Sequence, residues 1–233
     1  MLTLIQYPAA FGLPSASPFC MKAEILLKLS GLEYEVETNA DPRKMPMGKL
    51  PVVRDADRII ADSALIQAYL ESAYGCDLDS GVPEKDRAIA HAFCRMLEER
   101  TYWVLVHSRW LDDGTWPKIR EQFFGGLPLL VRFIVPAMAR KDVRRTLHGQ
   151  GLGRHRRNIV DGFGADDIRA VANWLGDKNF FLGEEPTSAD ATVYAFLANA
   201  AGDVPFDGPL KKELLTHENL LAYVDRCRNI WFR

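Results

Sequence analysis

Hydrophobic positions in the first third of the chain alternate between short apolar runs and stretches with helical spacing. Four short runs predict strands: residues 2–7, 34–37, 50–54 and 58–60. Helical spacing predicts two helices, at residues 18–30 and 63–74. Gly31 and Gly75 follow these helices, and glycine is a common residue just after a helix end. We expect the last two strands to form a hairpin across residues 55–57.

The order of these elements, strand-helix-strand followed by hairpin-helix, is that of a thioredoxin-like sheet with helices on its faces. Strand signals fade after residue 83, and apolar residues recur at helical spacing in five later stretches: residues 84–110, 116–148, 166–175, 188–201 and 219–229. Asp, Ser, Gly and Pro cluster at residues 77–83, which indicates a boundary. The predicted fold class is α/β plus all-α, with an N-terminal thioredoxin-like domain at residues 1–78 and an all-helical domain at residues 84–233.

The composition fits a chain with a large core and gives no reason to expect a polyanionic partner. Of 233 residues, 48% are hydrophobic, and 29 Lys and Arg stand against 31 Asp and Glu, for a net charge of −2. This balance argues against nucleic acid or a membrane as the partner. The apolar run at residues 127–139 contains two prolines and an arginine, and it is shorter than the ~20 residues that span a bilayer. Four scattered cysteines and a start without a signal-peptide pattern predict a reducing, cytoplasmic location.

The segment Ser17-Pro18-Phe19-Cys20 lies at the start of the first predicted helix. The N–H groups and dipole of a helix N-terminus favour negative charge, so a hydroxyl placed there suits a bound thiolate. The alternative is that Ser17 only caps the helix. Cys20 follows one turn later, and without a second cysteine at position 17 a buried structural thiol is favoured over redox chemistry.

Three further motifs accompany this segment: Gly48-Lys49-Leu50-Pro51, Ala61-Asp62-Ser63 and Thr187-Ser188-Ala189-Asp190. In this order and spacing the chain resembles the glutathione transferases over nearly its whole length. The stretch at residues 98–113, which includes Tyr102-Trp103 and Arg109-Trp110-Leu111-Asp112-Asp113, resembles the subgroup related to metaxin and to the failed-axon-connections protein. The motif Thr187-Ser188-Ala189-Asp190 is expected to be a structural capping box in which Thr187 and Asp190 bond each other's backbone.

The resemblance implies glutathione as co-substrate, with its thiolate stabilised by the hydroxyl of Ser17. It implies five residues that bind the tripeptide: Lys49, Leu50, Pro51, Asp62 and Ser63. The Leu50–Pro51 bond is expected to be cis, so that the Leu50 backbone pairs with the ligand. Ser63 would bind the α-carboxylate of the γ-glutamyl group, while Asp62 would accept from its ammonium group or cap the helix. Lys49 would meet a carboxylate or remain a solvated loop residue.

The second domain is expected to provide the site for a small hydrophobic electrophile. Four residues at spacings of about one helical turn are candidates: Tyr102, Trp103, His107 and Trp110. An aromatic stripe of this kind is often core, and that alternative stays open. His107 has no partner at metal-ligand spacing, so no metal is expected. Tyr7 is expected to be structural. The basic segment at residues 140–157 is read as a solvated surface, or as one that steers an anionic ligand.

The sequence therefore predicts an enzyme, a serine-type glutathione transferase, and the resemblance implies a homodimer. Two alternatives remain at this point. One is a metaxin-like binding or adaptor protein without turnover, against which the retention of Ser17, Leu50-Pro51 and Asp62-Ser63 argues. The other is a glutathione-dependent thiol reductase that works through Cys20.

Overall fold

The structure, a computed structural model, describes residues 1–129, 131–201 and 208–233. The N-terminal part contains four strands: β1 (Leu2–Gln6), β2 (Tyr34–Thr38), β3 (Val52–Asp55) and β4 (Arg58–Ala61). It also contains two helices, α1 (Pro18–Ser30) and α2 (Ser63–Tyr74). The sheet order is β2-β1-β3-β4, with β2 parallel to β1 and the other two pairs antiparallel. The predicted strand and helix order of a thioredoxin-like domain is confirmed.

Helix α1 is buried on nearly all sides, because it lies between the sheet and the helical domain. Its sequence is apolar around most of its circumference, which is the pattern of a central helix. The opposite side of α1 packs against α8 (Ser188–Ala201), whose residues 189–200 are all buried. Gly31 ends α1 with a φ of 68°, a conformation that glycine adopts without steric cost. The end of β1 and the start of α1 are thereby held at the junction of the two domains.

The second part of the described chain is helical, as predicted. Its other helices are α3 (Glu84–Met96), α4 (Tyr102–Trp110), α5 (Trp116–Phe124), α6 (Ile134–Gln150), α7 (Arg157–Leu175), α9 (Pro209–Leu214) and α10 (Glu218–Trp231). Helices α3 and α4 form one continuous rod through a single π-helical turn, Leu97–Thr101. A π turn contains one residue more than an α turn, so it rotates everything that follows around the helix axis.

Two of the predicted helical stretches differ from the structure by more than two residues at an end or are divided in the structure. The stretch at residues 116–148 is two helices, α5 and α6, and its residue 130 lies outside the described residues. Helix α7 begins at Arg157, nine residues before the predicted start, and runs through Gly162 and Gly164. Gly164 has a packing role, since a Cβ there would come within 2.7 Å of the Leu210 side chain and 2.8 Å of the Val104 side chain. Helix α9 was not predicted.

Asp190 joins three segments of the helical domain from a fully buried position. Its carboxylate accepts hydrogen bonds from the backbone N–H of Phe181 (2.7 Å) and of Thr187 (2.8 Å), and from the hydroxyls of Thr187 (3.0 Å) and Tyr223 (2.8 Å). The predicted capping box is therefore only half formed. The Thr187 hydroxyl donates to the carboxylate, and the N–H of Asp190 bonds the Thr187 carbonyl instead.

A buried ion pair connects α1 to the π turn. The Lys22 Nζ lies 2.7 Å from Glu98 Oε1, and the side chains are only 3% and 4% exposed. Glu98 also contacts the guanidinium of Arg95, which is 40% exposed. Glu98 thus has two cationic partners, whereas Lys22 has a single acidic partner, Glu98, among the residues that the structure describes.

Several arginines of the basic segment are engaged in pairs at the surface. Arg140 binds Asp113 and the carbonyl oxygens of Trp110 and Leu111, and Arg157 contacts Asp112. The segment is therefore tied in part to the end of α4. Within the described ranges, no helix has the combination of length and apolar character needed to cross a bilayer.

Candidate active site

A cavity of about 380 Å³ opens where the N-terminus of α1 faces helices α4 and α5. Its wall is mostly apolar and includes Pro8, Ala9, Ala16, Leu105, Val106, Phe123 and Phe124. Six polar or amphipathic side chains also line it: Tyr7, Ser17, Tyr102, Arg109, Trp110 and Gln122. A mostly apolar cleft with a few convergent polar groups is the usual form of a small-molecule site.

Ser17 caps α1 and contributes to the cavity wall. Its Oγ accepts a hydrogen bond from the backbone N–H of Cys20 at 3.3 Å, and its backbone is extended, as at an ordinary N-cap. The capping role is therefore present in the structure. A hydroxyl that accepts one bond still has its own hydrogen to donate, so capping and thiolate stabilisation are compatible.

Cys20 is fully buried one turn into α1 and does not line the cavity. Burial raises the pKa of its thiol to about 11, although hydrogen bonds from the Tyr7 backbone, Ser17 and Ser15 lower it in part. At neutral pH the thiol is protonated, and thiolate is the reactive form of cysteine. The geometry thus gives no support to redox chemistry at Cys20.

Two phenols, Tyr7 and Tyr102, lie in the same wall. Burial raises the pKa of Tyr7 to about 12, with smaller contributions from Cys20, Tyr102 and Asp41. Burial also raises the pKa of Tyr102, while the positive charge of Arg109 opposes that shift. Both phenols therefore keep their protons at neutral pH and are hydrogen-bond donors. Tyr7, which was expected to be structural, is part of the cavity.

Arg109 is a buried cation in this wall that the sequence did not reveal as a site residue. It is only 5% exposed, and burial lowers its pKa to about 10, which still leaves it charged at neutral pH. Its side chain bonds the Ala16 carbonyl and Asn199, which are 93 and 90 residues away in the sequence. Only such long-range contacts distinguish it from a surface arginine.

The five residues expected to bind glutathione lie at the end of the sheet where β3 begins and β4 ends. The peptide bond between Leu50 and Pro51 is cis, as the resemblance implied. The N–H of Asp62 bonds the Pro51 carbonyl at 3.4 Å, so the start of α2 lies beside the start of β3. Ser63 is buried there, and Lys49 is exposed in the preceding loop. None of the five is among the described residues that line the cavity.

Asp62 has an unusual backbone. Its φ of 87° lies in a region that residues other than glycine rarely adopt, and its Oδ1 accepts from the Ala64 N–H at 2.8 Å to cap α2. Strained backbone of this kind concentrates at ligand sites. A small hydrophobic cluster connects the start of β3 to the N-terminus of α1. It consists of Ile5, Cys20, Leu50 and Val52, with Tyr7 packed against it.

The four expected electrophile-site residues divide between two faces of α4. Tyr102 and Trp110 line the cavity together with Leu105, Val106 and Arg109, which is a single stripe at helical spacing. The structure does not bring Trp103 or His107 to this wall. Both lie one residue further around the helix, and His107 instead faces Asp161, Arg157 and Asp112, while burial lowers its pKa.

Helix α5 supplies a second wall that sequence reasoning missed. Phe123 stacks on Trp110 with ring centroids 6.0 Å apart, and it contacts Phe11 edge-on at 5.6 Å. Helix α5 was predicted only as part of one long helix, so the hydrophobic pattern did not show that its end turns toward Ser17. The adjacent aromatic residues Phe123 and Phe124 are the one local feature that could have indicated an apolar wall here.

Comparison with known proteins decides the family. Residues 18–115 match the glutathione S-transferase N-terminal domain, and residues 164–227 match the glutathione S-transferase C-terminal domain. The isoprene-epoxide–glutathione S-transferase of Rhodococcus sp. (strain AD45) is 33% identical over 98% of both chains. The chain belongs to the glutathione transferase superfamily.

Other similarities place this family member near the predicted subgroup. The failed axon connections protein of Drosophila melanogaster is 31% identical over the whole chain, which spans 58% of the length of that protein. Mouse metaxin-1 is 23% identical over 99% of this chain and 75% of its own. A glutathione transferase from Phanerochaete chrysosporium has the same fold, with a TM-score of 0.66, 19% identity, and coverage of 100% of this chain and 98% of its own.

These findings confirm the predicted family and fold. Glutathione transferases use glutathione as a substrate, so the family supports a glutathione site in this chain at the level of ligand class.

Proposed function

We propose that this chain is a serine-type glutathione transferase. The thioredoxin-like domain binds glutathione, Ser17 donates a hydrogen bond to its thiolate, and the apolar cavity beside Ser17 takes the electrophile. The observation that carries the proposal is that a hydroxyl at a helix N-terminus lies in the wall of this cavity. A homodimer and a cytoplasmic location are part of the same proposal.

Glutathione would lie at the end of the sheet where the loop before β3 meets the start of α2. The Leu50 backbone, beside the cis bond to Pro51, would pair with the extended tripeptide as another strand does. Ser63 at the start of α2 would bind the α-carboxylate of the γ-glutamyl group, because N–H groups at a helix start favour an anion. Asp62 would face the ammonium group, and Lys49 a glycine carboxylate. The thiol would then reach Ser17 at the neighbouring helix end.

The electrophile is proposed to be a small apolar epoxide or a compound of similar reactivity. Two observations support this class: the wall is mostly apolar, and the Rhodococcus relative is named for isoprene epoxide. In the proposed reaction the sulfur attacks a ring carbon, a C–S bond forms and the C–O bond breaks. The electron pair of that bond goes to oxygen, and the resulting alkoxide takes a proton from water. The neutral phenol of Tyr102, which lines the cavity, would hydrogen-bond this oxygen as it becomes charged.

The test compares Ser17→Ala with Ser108→Ala. Ser108 is a buried hydroxyl of α4 that bonds the Leu105 carbonyl at 3.0 Å and does not line the cavity, so it is a matched control. Calorimetry measures glutathione binding, and thiolate absorbance near 240 nm against pH gives the pKa of the bound thiol. A hydrogen bond to a charged group is worth about 1.5–3 kcal/mol. Ser17→Ala should therefore raise the pKa of the bound thiol by about 1 to 2.

Turnover is measured by mass spectrometry of the adduct between glutathione and isoprene epoxide. At neutral pH, kcat/KM should fall about 10- to 100-fold in Ser17→Ala, as the thiolate fraction falls, and should be unchanged in Ser108→Ala. Glutathione binding that is unaffected in both variants, with equal thiol pKa values, would contradict the role of Ser17.

The similarity to metaxin-1 and failed axon connections favours a second candidate, a binding protein without turnover. That function is indicated instead if no glutathione binds at millimolar concentration.

A further inference from the structure

Arg109 is a buried positive charge that has no acidic partner within ion-pair distance among the described residues. The other deeply buried cation, Lys22, lies against a carboxylate. Burying an ion in a protein interior costs several kcal/mol unless another charge or a set of hydrogen bonds compensates it. Arg109 is compensated by hydrogen bonds alone, and the compensation is incomplete.

The contacts of the guanidinium are all with neutral groups. Its Nη1 donates to the Ala16 carbonyl at 2.8 Å, and its Nη2 donates to the Asn199 carbonyl and Oδ1 at 2.9 and 3.0 Å. Its Nε is buried without a hydrogen-bond partner. The guanidinium carbon lies 5.2 Å from the centre of the Phe11 ring. The positive charge is therefore not neutralised within the protein, and Arg109 is part of the cavity wall.

The ionisable groups that surround this part of the wall are mostly neutral at physiological pH. Tyr7 at the end of β1, Cys20 on α1 and Tyr102 on α4 all have raised pKa values and carry no charge. On α8 the facing residue is the neutral Asn199. Two carboxylates act on these neutral groups: Glu24 on Cys20, and Asp41, which is paired with Arg43, on Tyr7. The charge effect on the pKa of Arg109 itself comes from Tyr102. An anion that enters the cavity would thus become the main counter-charge of Arg109.

We propose that the guanidinium of Arg109 is the principal source of the positive field that ionises the thiol of glutathione bound beside Ser17. This inference rests on the proposed function, since it needs glutathione in the site. Ala16, whose carbonyl Arg109 binds, is the residue next to Ser17. On ionisation the S–H bond breaks, its electron pair stays on sulfur, and the proton leaves to solvent water. Ser17 orients the sulfur and donates a hydrogen bond to it, and Arg109 supplies the positive charge that further stabilises the thiolate.

The size of the effect follows from the sign and nearness of the charge. A cation about 4–6 Å from an acid lowers its pKa by about 1 to 3, and a mostly apolar wall screens the interaction poorly. The hydrogen bond from the Ser17 hydroxyl is charge-assisted and adds to this effect, and the Ser17→Ala variant measures that part separately. The structural alternative is that Arg109 only ties α4 to the segment before α1 and to α8. If Arg109 had only that structural role, its replacement would lower the stability of the protein and leave the pKa of the bound glutathione thiol unchanged.

The experiment measures the pKa of glutathione bound to the full chain, by absorbance near 240 nm, in five proteins. These are the wild type, Arg109→Lys, Arg109→Met, Asn199→Asp and Arg140→Met. Lysine keeps the charge and loses the fork of hydrogen bonds, whereas methionine removes the charge at similar length. Arg140→Met is the matched control, because Arg140 binds the carbonyl at the end of the same helix but is paired with Asp113 and lies outside the cavity wall. Tyrosinate does not interfere, because the pKa values of both nearby phenols are raised.

Asn199→Asp tests the same idea without removing Arg109. It places a carboxylate where the amide oxygen now lies 3.0 Å from the guanidinium, and so neutralises the field. We expect the bound thiol pKa to rise by about 1 to 3 in Arg109→Met and Asn199→Asp, and to stay near the wild-type value in Arg109→Lys and Arg140→Met. Thermal denaturation of each protein shows whether stability follows the same order, which a purely structural role requires.

The outcomes separate this inference from the proposed function. If the wild type does not bind glutathione, the proposed function fails. If the wild type binds it with a lowered thiol pKa, and Arg109→Met or Asn199→Asp keeps that pKa, the role of Arg109 is refuted while the function stands. If Arg109→Met does not fold, the result for Asn199→Asp decides. A thiol pKa in Arg109→Lys as high as in Arg109→Met would also overturn the inference.

Discussion

The ion pair between Lys22 and Glu98 leads to an asymmetric prediction for two isosteric substitutions. In Glu98→Gln the buried Lys22 ammonium, only 3% exposed, loses its only acidic partner within the described part of the chain. Removing one partner of a buried pair typically costs about 3–5 kcal/mol, because the other charge is left uncompensated. In Lys22→Met the carboxylate of Glu98 keeps its contact with Arg95, whose side chain is 40% exposed and reaches solvent. The cost should then be about 1 kcal/mol or less, since a methionine of similar length fills the space.

Urea unfolding at neutral pH, followed by circular dichroism, measures both free energies of unfolding. Arg95→Met is the control for the second contact, and it should cost less than Glu98→Gln because Lys22 remains paired. For a chain of this size, 3 kcal/mol corresponds to a decrease in Tm of about 6–12 °C, so the difference is easily resolved. Equal destabilisation in Lys22→Met and Glu98→Gln, or a neutral Glu98→Gln, would refute the reasoning. Either result would show that Arg95 does not replace Lys22, or that solvent reaches the ammonium.

Three further predictions concern buried groups. The folded-state pKa of Cys20 is raised from 9.0 to about 11, so its contribution to stability is complete below pH 9 and is lost as the pH rises through 11. Between pH 9 and 11 the free energy of unfolding, measured in urea, should therefore fall by up to ~2.7 kcal/mol more in the wild type than in Cys20→Ala. An equal fall in the two proteins would contradict this. Asp190→Ala leaves four donors without an acceptor and should cost about 4 kcal/mol by thermal denaturation, whereas the exposed Asp166→Ala should stay within about 0.5 kcal/mol. Gly164→Ala should cost about 1–3 kcal/mol because its Cβ clashes, while Gly162→Ala, with open space around it, should gain up to ~1 kcal/mol; a stable Gly164→Ala would disprove the close packing.

The sequence was sufficient for the fold class because each element carries its own signal. Helix α1, for example, has an N-cap serine, a proline in its first turn and a glycine at its end, and its predicted bounds are those of the structure. The cis bond before Pro51 was predicted from the family resemblance and is present. The start of α7 was missed because two glycines, Gly162 and Gly164, reduce helix propensity. Only Gly164 has a packing role, against the side chains of Leu210 and Val104.

The candidate site was only partly predictable, for two physical reasons. Ser17 could be found because its position at a helix start is a local property. Arg109 could not, since its burial depends on Ala16 and Asn199, each about 90 residues away along the chain. Trp103 and His107 were chosen by aromatic spacing, which gives a stripe on a helix but does not say which stripe faces the cavity.

The π turn, Leu97–Thr101, has a consequence for how the electrophile site is encoded. Successive residues of an α-helix are separated by about 100° around its axis. Deleting one residue from this turn would convert it to ordinary helix and swing α4 by about that angle, moving Tyr102 and Arg109 away from Ser17 and bringing other side chains round in their place. The number of residues in α3 and the π turn, and not only the sequence of α4, therefore determines which side chains line the cavity. Homologous chains that differ by a single insertion at this point would present different chemistry with nearly the same residues.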